Sequence, residues 1–274
     1  MKQNAYKNDP VKVKHGIPIF CDEEGDEYIE NYDNISRDHI SAISSEVENP
    51  FIDKDVWEEI EKNTVDELIA NVKKADKVLD IGVGTGRLLK HISQVEKYGI
   101  DISFNYLERL IETDIDVCMG NIEDLPYLDD FFDVIVCSDV LEHVIDLKVA
   151  ISEISRVLKK DGVFILRVPY KEDLAQYLSA ESPYNYVHIR NFDEYELEIL
   201  FCRVFDFSIK KKIFDYAMYP DRLKAKKVLR GRAMIVNLLR ILVRLFPAIK
   251  NKVLGLFLPI EITFVLKATS KLTD

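Results

Sequence analysis

The chain has 274 residues, 47% of them hydrophobic, which is enough for one elaborated domain or two small ones with a sizeable core and excludes general disorder. Its 37 Lys and Arg against 48 Asp and Glu leave a net charge of −11, excluding the diffuse basic footprint of a protein that coats nucleic acid. Cys21, Cys118, Cys137 and Cys202 are scattered without a C-x-x-C pair, so neither a disulfide framework nor a zinc ribbon is encoded and a reducing, cytoplasmic setting is expected.

The N-terminus, MKQNAYKNDPVKVKHG, lacks the apolar stretch of a signal peptide. Carboxylates crowd the stretch from Asp22 to Glu48, which closes on the turn signal Asn49-Pro50; residues 1–50 read as an acidic N-terminal extension before a main domain at 51–274. Trp57, Ile60, Thr64, Val65, Leu68, Ile69 and Val72 follow helical spacing and predict an amphipathic helix. From Lys77 short β-branched runs (KVLDI, KYGID, DVCM, DVIVCS, GVFILRV) alternate with helix-periodic segments, a βαβ series whose strands are apolar on both faces and therefore belong to a parallel sheet covered on both sides. FDFSIKKKIF (205–214) and ITFVLKAT (262–269) are two further strand candidates.

Between these last two strands the composition shifts. From Phe207 to Leu258 thirteen Lys and Arg face two acids, Asp215 and Asp221, so the segment is +11 and the rest of the chain −22. Lys226, Arg230, Ala233, Asn237, Arg240 and Arg244 recur at spacings of four and three, a narrow polar stripe on a helix that is otherwise apolar. Asn237, Arg240 and Arg244 interrupt the apolar run 233–246, so no membrane span is expected there. The insertion 217–258 has three readings: a lid over the substrate opening with Leu238, Leu242 and Leu245 lining it, favoured here; peripheral membrane contact through 226–246, second; and a homodimer interface.

The sharpest chemical signal is VLDIGVGTGRLL, residues 78–89: an apolar strand ending in Asp80, then Gly82, Gly84 and Gly86, then an expected helix start. Glycines here let the chain turn tightly and let a ligand approach main-chain N–H groups. A dinucleotide fingerprint needs glycine at position 87, where Arg87 stands, so a nicotinamide oxidoreductase is the weakest reading. Asp80 would repel a pyrophosphate but can pair with a ligand ammonium. Asp101, at the end of YGIDIS, can accept both hydroxyls of a ribose, and loops beginning at Asn121 and Ser138 open at the same end of the parallel sheet.

With these residues in order, the sequence resembles the class I S-adenosylmethionine-dependent methyltransferases, in particular the group that includes ubiquinone and menaquinone biosynthesis enzymes, over roughly residues 55–215. Asp80, Gly82, Gly84 and Gly86 match the glycine motif, Asp101 the ribose acid, GNIEDLPYLDDFFD the segment with Leu-Pro and Phe-Asp, and LKKDGVFILRVP the fifth-strand motif. The resemblance implies an α/β, Rossmann-like fold with a seven-stranded, mostly parallel sheet, helices on both faces and 262–269 inserted antiparallel. It implies S-adenosylmethionine as cofactor and S-adenosylhomocysteine as product, held by the glycine motif, Asp101 with Ile102, Asn121 and Ile122 at the adenine, and Ser138. The family's usual aspartate at the adenine position is Asn121 here, whose amide oxygen can still accept from an exocyclic amine. HGIPIF (15–20) is similar to the hairpin of small zinc-ribbon leaders in this group, without the zinc cysteines.

A hydroxyl or phenol acceptor needs a base near the methyl, and His143 and His188 are the candidates, against packing or loop-bracing roles. Asp139, Glu142 and His143 resemble the E-x-x-E-H metal ligands of one quinone O-methyltransferase branch; the acid is shortened and a fourth ligand is missing, so a solvated helix start is the reading and no metal is expected. Cys118 and Cys137, inside strands, read as small hydrophobes. The leading function is methyl transfer to a small-molecule or lipid-like acceptor. The alternative is a non-catalytic S-adenosylmethionine-binding regulatory or scaffold protein.

Overall fold

Strands of the kind that alternation predicts line up as one nine-stranded sheet in the order β1-β2-β5-β4-β3-β6-β7-β9-β8 in the computed structural model, which describes residues 5–22, 25–44, 52–178, 184–224 and 231–269. A hairpin, β1 (Lys12–Lys14) and β2 (Ile17–Ile19), is followed by α1 (Glu27–Ser44) and α2 (Lys54–Asn71). Then come β3 (Lys77–Ile81), β4 (Glu96–Asp101), the single turn α3 (Phe104–Leu107), β5 (Ile115–Met119) and β6 (Phe132–Ser138). α4 (Leu147–Val157), β7 (Leu158–Pro169), α5 (Glu194–Glu198), β8 (Phe207–Tyr216), α6 (Arg232–Leu245), α7 (Lys250–Leu254) and β9 (Pro259–Ala268) complete the chain.

The five strands β3 to β7 are parallel, and β9 runs antiparallel between β7 and β8, as the sequence predicts. β3, the strand that carries the glycine motif, lies in the middle of the sheet. Two strands lie beyond the seven expected: the β1-β2 hairpin, at the segment likened to a leader hairpin, extends the sheet past β5 through the parallel pair Ile19 and Met119. Residues 12–19 of the N-terminal extension thus belong to the sheet, and its acidic stretch carries α1.

Both faces of the sheet are buried, which is why its strands read as continuous apolar runs. Along β6, Ile135 and Cys137 join a core with Ala150, Ile151, Ile154 and Val157 of α4 and with Leu197 and Phe201, while Val134 and Val136 join a second core with Val65 and Leu68 of α2 and Phe104 and Leu107 of α3. Cys118 is fully buried, its thiol pushed up to about 12 by burial, and it behaves as the small hydrophobe expected.

The insertion holds a small core of its own. Val236 of α6 packs with Val253 and Phe257, bordered by Met218, Leu223, Leu239, Val243 and Ile249. It is tied to the body by Lys250 to Glu59 (2.8 Å) and Arg240 to Asp53 (3.7 Å) on α2 and its N-terminal flank. The polar stripe is realised at Ala233, Asn237, Arg240 and Arg244, all exposed, whereas Lys226 and Arg230 lie outside the described residues. Leu238 and Leu245, expected to line a pocket, face solvent instead, because α6 turns the face with Val236 inward and that face is filled by the insertion's own core.

Candidate functional site

The carboxyl ends of β3, β4, β6 and β7 converge on one rim. Beyond Ile81 the chain enters the left-handed region at Gly82 (φ 73°), Gly84 (φ 50°) and Gly86 (φ 72°). At Gly82 no other residue fits: a Cβ would stand 2.4 Å from Val140 Cγ2. The turn is pinned to β4, since the N–H groups of Gly82 and Val83 donate to the Ile100 carbonyl (2.9 and 3.1 Å). The α-helix expected after the glycines is absent. With Gly86 still left-handed, residues 87–95 have room for one 3₁₀ turn, Leu89–His91, before β4 begins, so the anion-binding helix end that a long helix would supply is not built.

Asp80 is buried just below this turn, and its Oδ1 finds no hydrogen-bond partner among the described residues. Burial drives its carboxyl well above the usual range, opposed by Arg87. Arg87 is itself held by Glu61 (2.8 Å) over the Trp57 ring (4.8 Å). An orphaned buried carboxylate oxygen beside a glycine turn fits a ligand ammonium, the group the sequence assigned to it.

Asp101 accepts from Gly84 N–H through Oδ2 and from Ser103 N–H through Oδ1, both at 2.9 Å, so it ties the glycine turn to β4 and keeps further lone pairs for a ligand. Burial lifts its carboxyl to about 6, against those backbone donors. Ile102 is half-buried beside it. Asn121 Oδ1 accepts from Glu123 N–H (2.9 Å) and caps the short turn Ile122–Asp124, which presents Ile122 at the end of β5. Ser138 ends β6, nearly buried.

Asp139, next along, is not part of a metal trio. Arg167, fully buried on β7, grips both Asp139 oxygens and also donates to Glu61 (3.1 Å) and Thr64 (2.9 Å). Burial pushes the Asp139 carboxyl up, but Arg167 outweighs it and holds the group below its usual value. Residues 141–143 form a turn rather than the solvated helix start that was expected, and Glu142 is fully buried with neither oxygen hydrogen-bonded among the described residues. Burial, then the charge of Asp139, raise its carboxyl far above the usual range.

His143 and His188 meet edge to face, with ring centroids 4.5 Å apart, and Glu142, His143 and His188 bring one ligand atom each within 4.8 Å of one another. Burial and then His188 hold His143 down to about 3, so it is neutral. His188 Nδ1 lies 2.5 Å from Glu172 and 3.2 Å from the Tyr177 hydroxyl. Burial raises Glu172, but the contact with His188 lowers it overall, so the ionised carboxylate accepts from the His188 Nδ1–H and fixes the ring.

Sequence reasoning missed the roof of this site. α1 brings Tyr32 against His143 (rings 5.7 Å, perpendicular), Tyr28 against Tyr186 (5.1 Å), and Asn31 onto the backbone of Asn185 and Tyr186 through three hydrogen bonds. Further along, the Ser103 hydroxyl donates to Asp33 (2.7 Å) and lies within hydrogen-bond distance of the Ser36 hydroxyl (2.8 Å). The signal was present as Tyr28, Asn31, Tyr32 and Ser36 at helical spacings of three and four, but their partners lie far away in sequence.

With this geometry in hand, the comparisons are specific. Residues 79–166 match the methyltransferase domain family. YcgJ, an uncharacterised methyltransferase of Bacillus subtilis, is 30% identical over 106 residues, 35% of this chain and 42% of that protein. A chain from the complex between the Haloferax volcanii Trm112 methyltransferase activator and a methyltransferase candidate superposes with a TM-score of 0.60 at 17% identity, over 90% of this chain and all of that one. An S-adenosylmethionine-dependent methyltransferase of Thermotoga maritima superposes with a TM-score of 0.55 at 16% identity, over 87% and 99% of the two chains. This chain spans about half the length of the curated relatives it matches, 44%, 61%, 42% and 52% for four of them. The family match at residues 79–166 takes in less than half of the chain, and the chain shares its fold with solved S-adenosylmethionine-dependent methyltransferases.

Proposed function

We propose that the chain transfers the methyl group of S-adenosylmethionine to a small-molecule or lipid-like acceptor. The observation that carries this reading is the orphaned Asp80 carboxylate oxygen, buried beside the left-handed glycine turn in the middle of a parallel sheet. Asp80 receives the cofactor's ammonium, Gly82 to Gly86 its amino-acid end, Asp101 and Ile102 the ribose, and Asn121 and Ile122 the adenine, with Ser138 at the rim. The sulfonium, when bound, supplies an activated methyl group. The protein's own task is then to present the acceptor and take its proton.

His188 is the base best equipped for that, because Glu172 and Tyr177 fix its ring. His143, neutral and wedged between His188 and Tyr32, holds the ring in place and adds an uncharged acceptor. The test is release of S-adenosylhomocysteine from purified protein across phenols, amines, sugars, small acids and isoprenoid or acyl lipids. A turned-over acceptor is expected, with His188→Gln lowering kcat by ~100-fold or more and leaving S-adenosylhomocysteine affinity intact. Tight cofactor binding without turnover on any of these classes would overturn the transfer reading, and full activity in His188→Gln would remove that residue as base.

A further inference from the structure

One face of α6 has no partner among the described residues. Met234, Leu238, Ile241 and Leu245, at spacings of four, three and four, form a continuous apolar stripe along the helix, and they are 74%, 57%, 55% and 65% exposed. This is not the face that stabilises the helix, since Val236, Leu239 and Val243 already bury the inward side against the insertion's own core. At 14 residues α6 spans about 21 Å, and no helix among the described residues is long and apolar enough to cross a membrane.

Charge says what covers the stripe. Arg240 and Arg244 stand one residue before Ile241 and Leu245, so a cationic row runs directly beside the apolar one. Arg222, Lys224, Arg232, Lys250 and Lys252 belong to the same insertion, with Asp221 as its one acid among the described residues. Outside 207–258 the chain carries −22. An anionic surface would attract the insertion and repel the body, which fixes orientation as well as affinity. A second copy of the chain is the poorer fit, because twofold pairing of the stripe would set Arg240 and Arg244 close to their own counterparts.

We infer that α6 docks this protein on an anionic lipid bilayer, with Met234, Leu238, Ile241 and Leu245 in the headgroup–acyl boundary and Arg244 at the phosphates, while Arg240 stays held by Asp53 and the Met218 carbonyl. Docking there also places the site near the lipid. Arg222 donates to the carbonyls of Tyr170 and Lys171 (2.8 and 3.0 Å), which directly follow β7 at the rim, and Arg240 reaches Asp53 at the head of α2, the helix that supplies Glu61 to the site.

The inference does not depend on methyl transfer and is tested without it. The full chain is sedimented with phosphatidylcholine vesicles, with and without phosphatidylglycerol, at low and high salt. Partition should require the anionic lipid, fall with salt, and drop by roughly tenfold or more in the Leu238→Gln/Ile241→Gln/Leu245→Gln variant. Circular dichroism and S-adenosylhomocysteine affinity of that variant should match wild type, since all three side chains are exposed. Equal partition of wild type and variant, or equal binding to neutral and anionic vesicles, would overturn the inference. So would a concentration-dependent dimer in wild type that the variant loses, without vesicle binding by either.

Discussion

Arg167→Met probes whether the rim is held together by one buried cation. The guanidinium is fully buried and has three recipients: both oxygens of Asp139, Glu61 and Thr64. Two of these survive its loss, because Glu61 keeps Arg87 at 2.8 Å and the Thr64 hydroxyl keeps the Ile60 carbonyl at 3.2 Å. Asp139 does not. Its carboxylate, 28% exposed, would be left without a cation beside the buried Glu142, so the loss should lie below the about 3–5 kcal/mol that breaking a fully buried pair from one side costs. Protonation of Asp139 caps that cost, so the loss should be largest near neutral pH and shrink in acid. Urea unfolding followed by the fluorescence of Trp57, the only tryptophan, reads both stability and the site, since the Arg167 guanidinium lies 5.2 Å from that ring. The double variant Arg167→Met/Asp139→Asn should recover at least half of the loss. A loss under about 1 kcal/mol in the single variant, or no recovery in the double, would refute the reasoning.

Asp101→Ala should weaken S-adenosylhomocysteine binding at least tenfold, equivalent to ~1.5–3 kcal/mol, and wild-type affinity should decline below about pH 6 as the carboxyl takes its proton; calorimetry across pH checks both. Gly82→Ala imposes ~1–2 kcal/mol of left-handed strain, plus displacement of Val140, and should lower the melting temperature and cofactor affinity together. Burial lifts Asp215 from 3.8 to about 6, so the native state holds a proton that the unfolded chain releases, and stability falls as pH rises through that window. Asp215→Asn should remove this fall, for a gain of up to about 3 kcal/mol above pH 6 in chemical denaturation.

The central sheet was legible because burial on both faces writes continuous apolar runs: each of the seven predicted strands, from KVLDI to ITFVLKAT, appears within a few residues of its expected ends. The glycine turn was legible because left-handed backbone demands glycine at Gly82, Gly84 and Gly86. The stretch from Arg87 to Val95 was misread as a helix, since periodicity registers apolar spacing and does not register that three left-handed residues leave too little chain for one. The β1-β2 strands are three residues each, too short for an alternation signal. The roof helix α1 lay unread within the stretch taken as an acidic extension, and its meaning depends on pairings such as Asn31 with Tyr186, 155 residues apart. The Arg167 hub was hidden for the same reason: a lone arginine in a strand shows nothing of Asp139 or Glu61 until the sheet is assembled.

The fastening of α1 gives the site a way to open. Its upstream anchor is a three-residue strand that meets the main sheet at the single pair Ile19 and Met119, and its own grip on the body runs through side-chain contacts to Ser103, Asn105, His143 and the 185–186 backbone rather than through a ladder. Ile29 reaches the apolar core, but the other contacts are polar or aromatic and none is a strand pairing with the β3-to-β7 ladder. The roof can therefore detach as a unit at a small fraction of the global unfolding free energy while the sheet stays folded. Amide exchange would then divide the chain into two tiers, with α1 exchanging through local opening and β3, β4 and β6 only through global unfolding. A ligand that bound only the closed arrangement would draw the two tiers together.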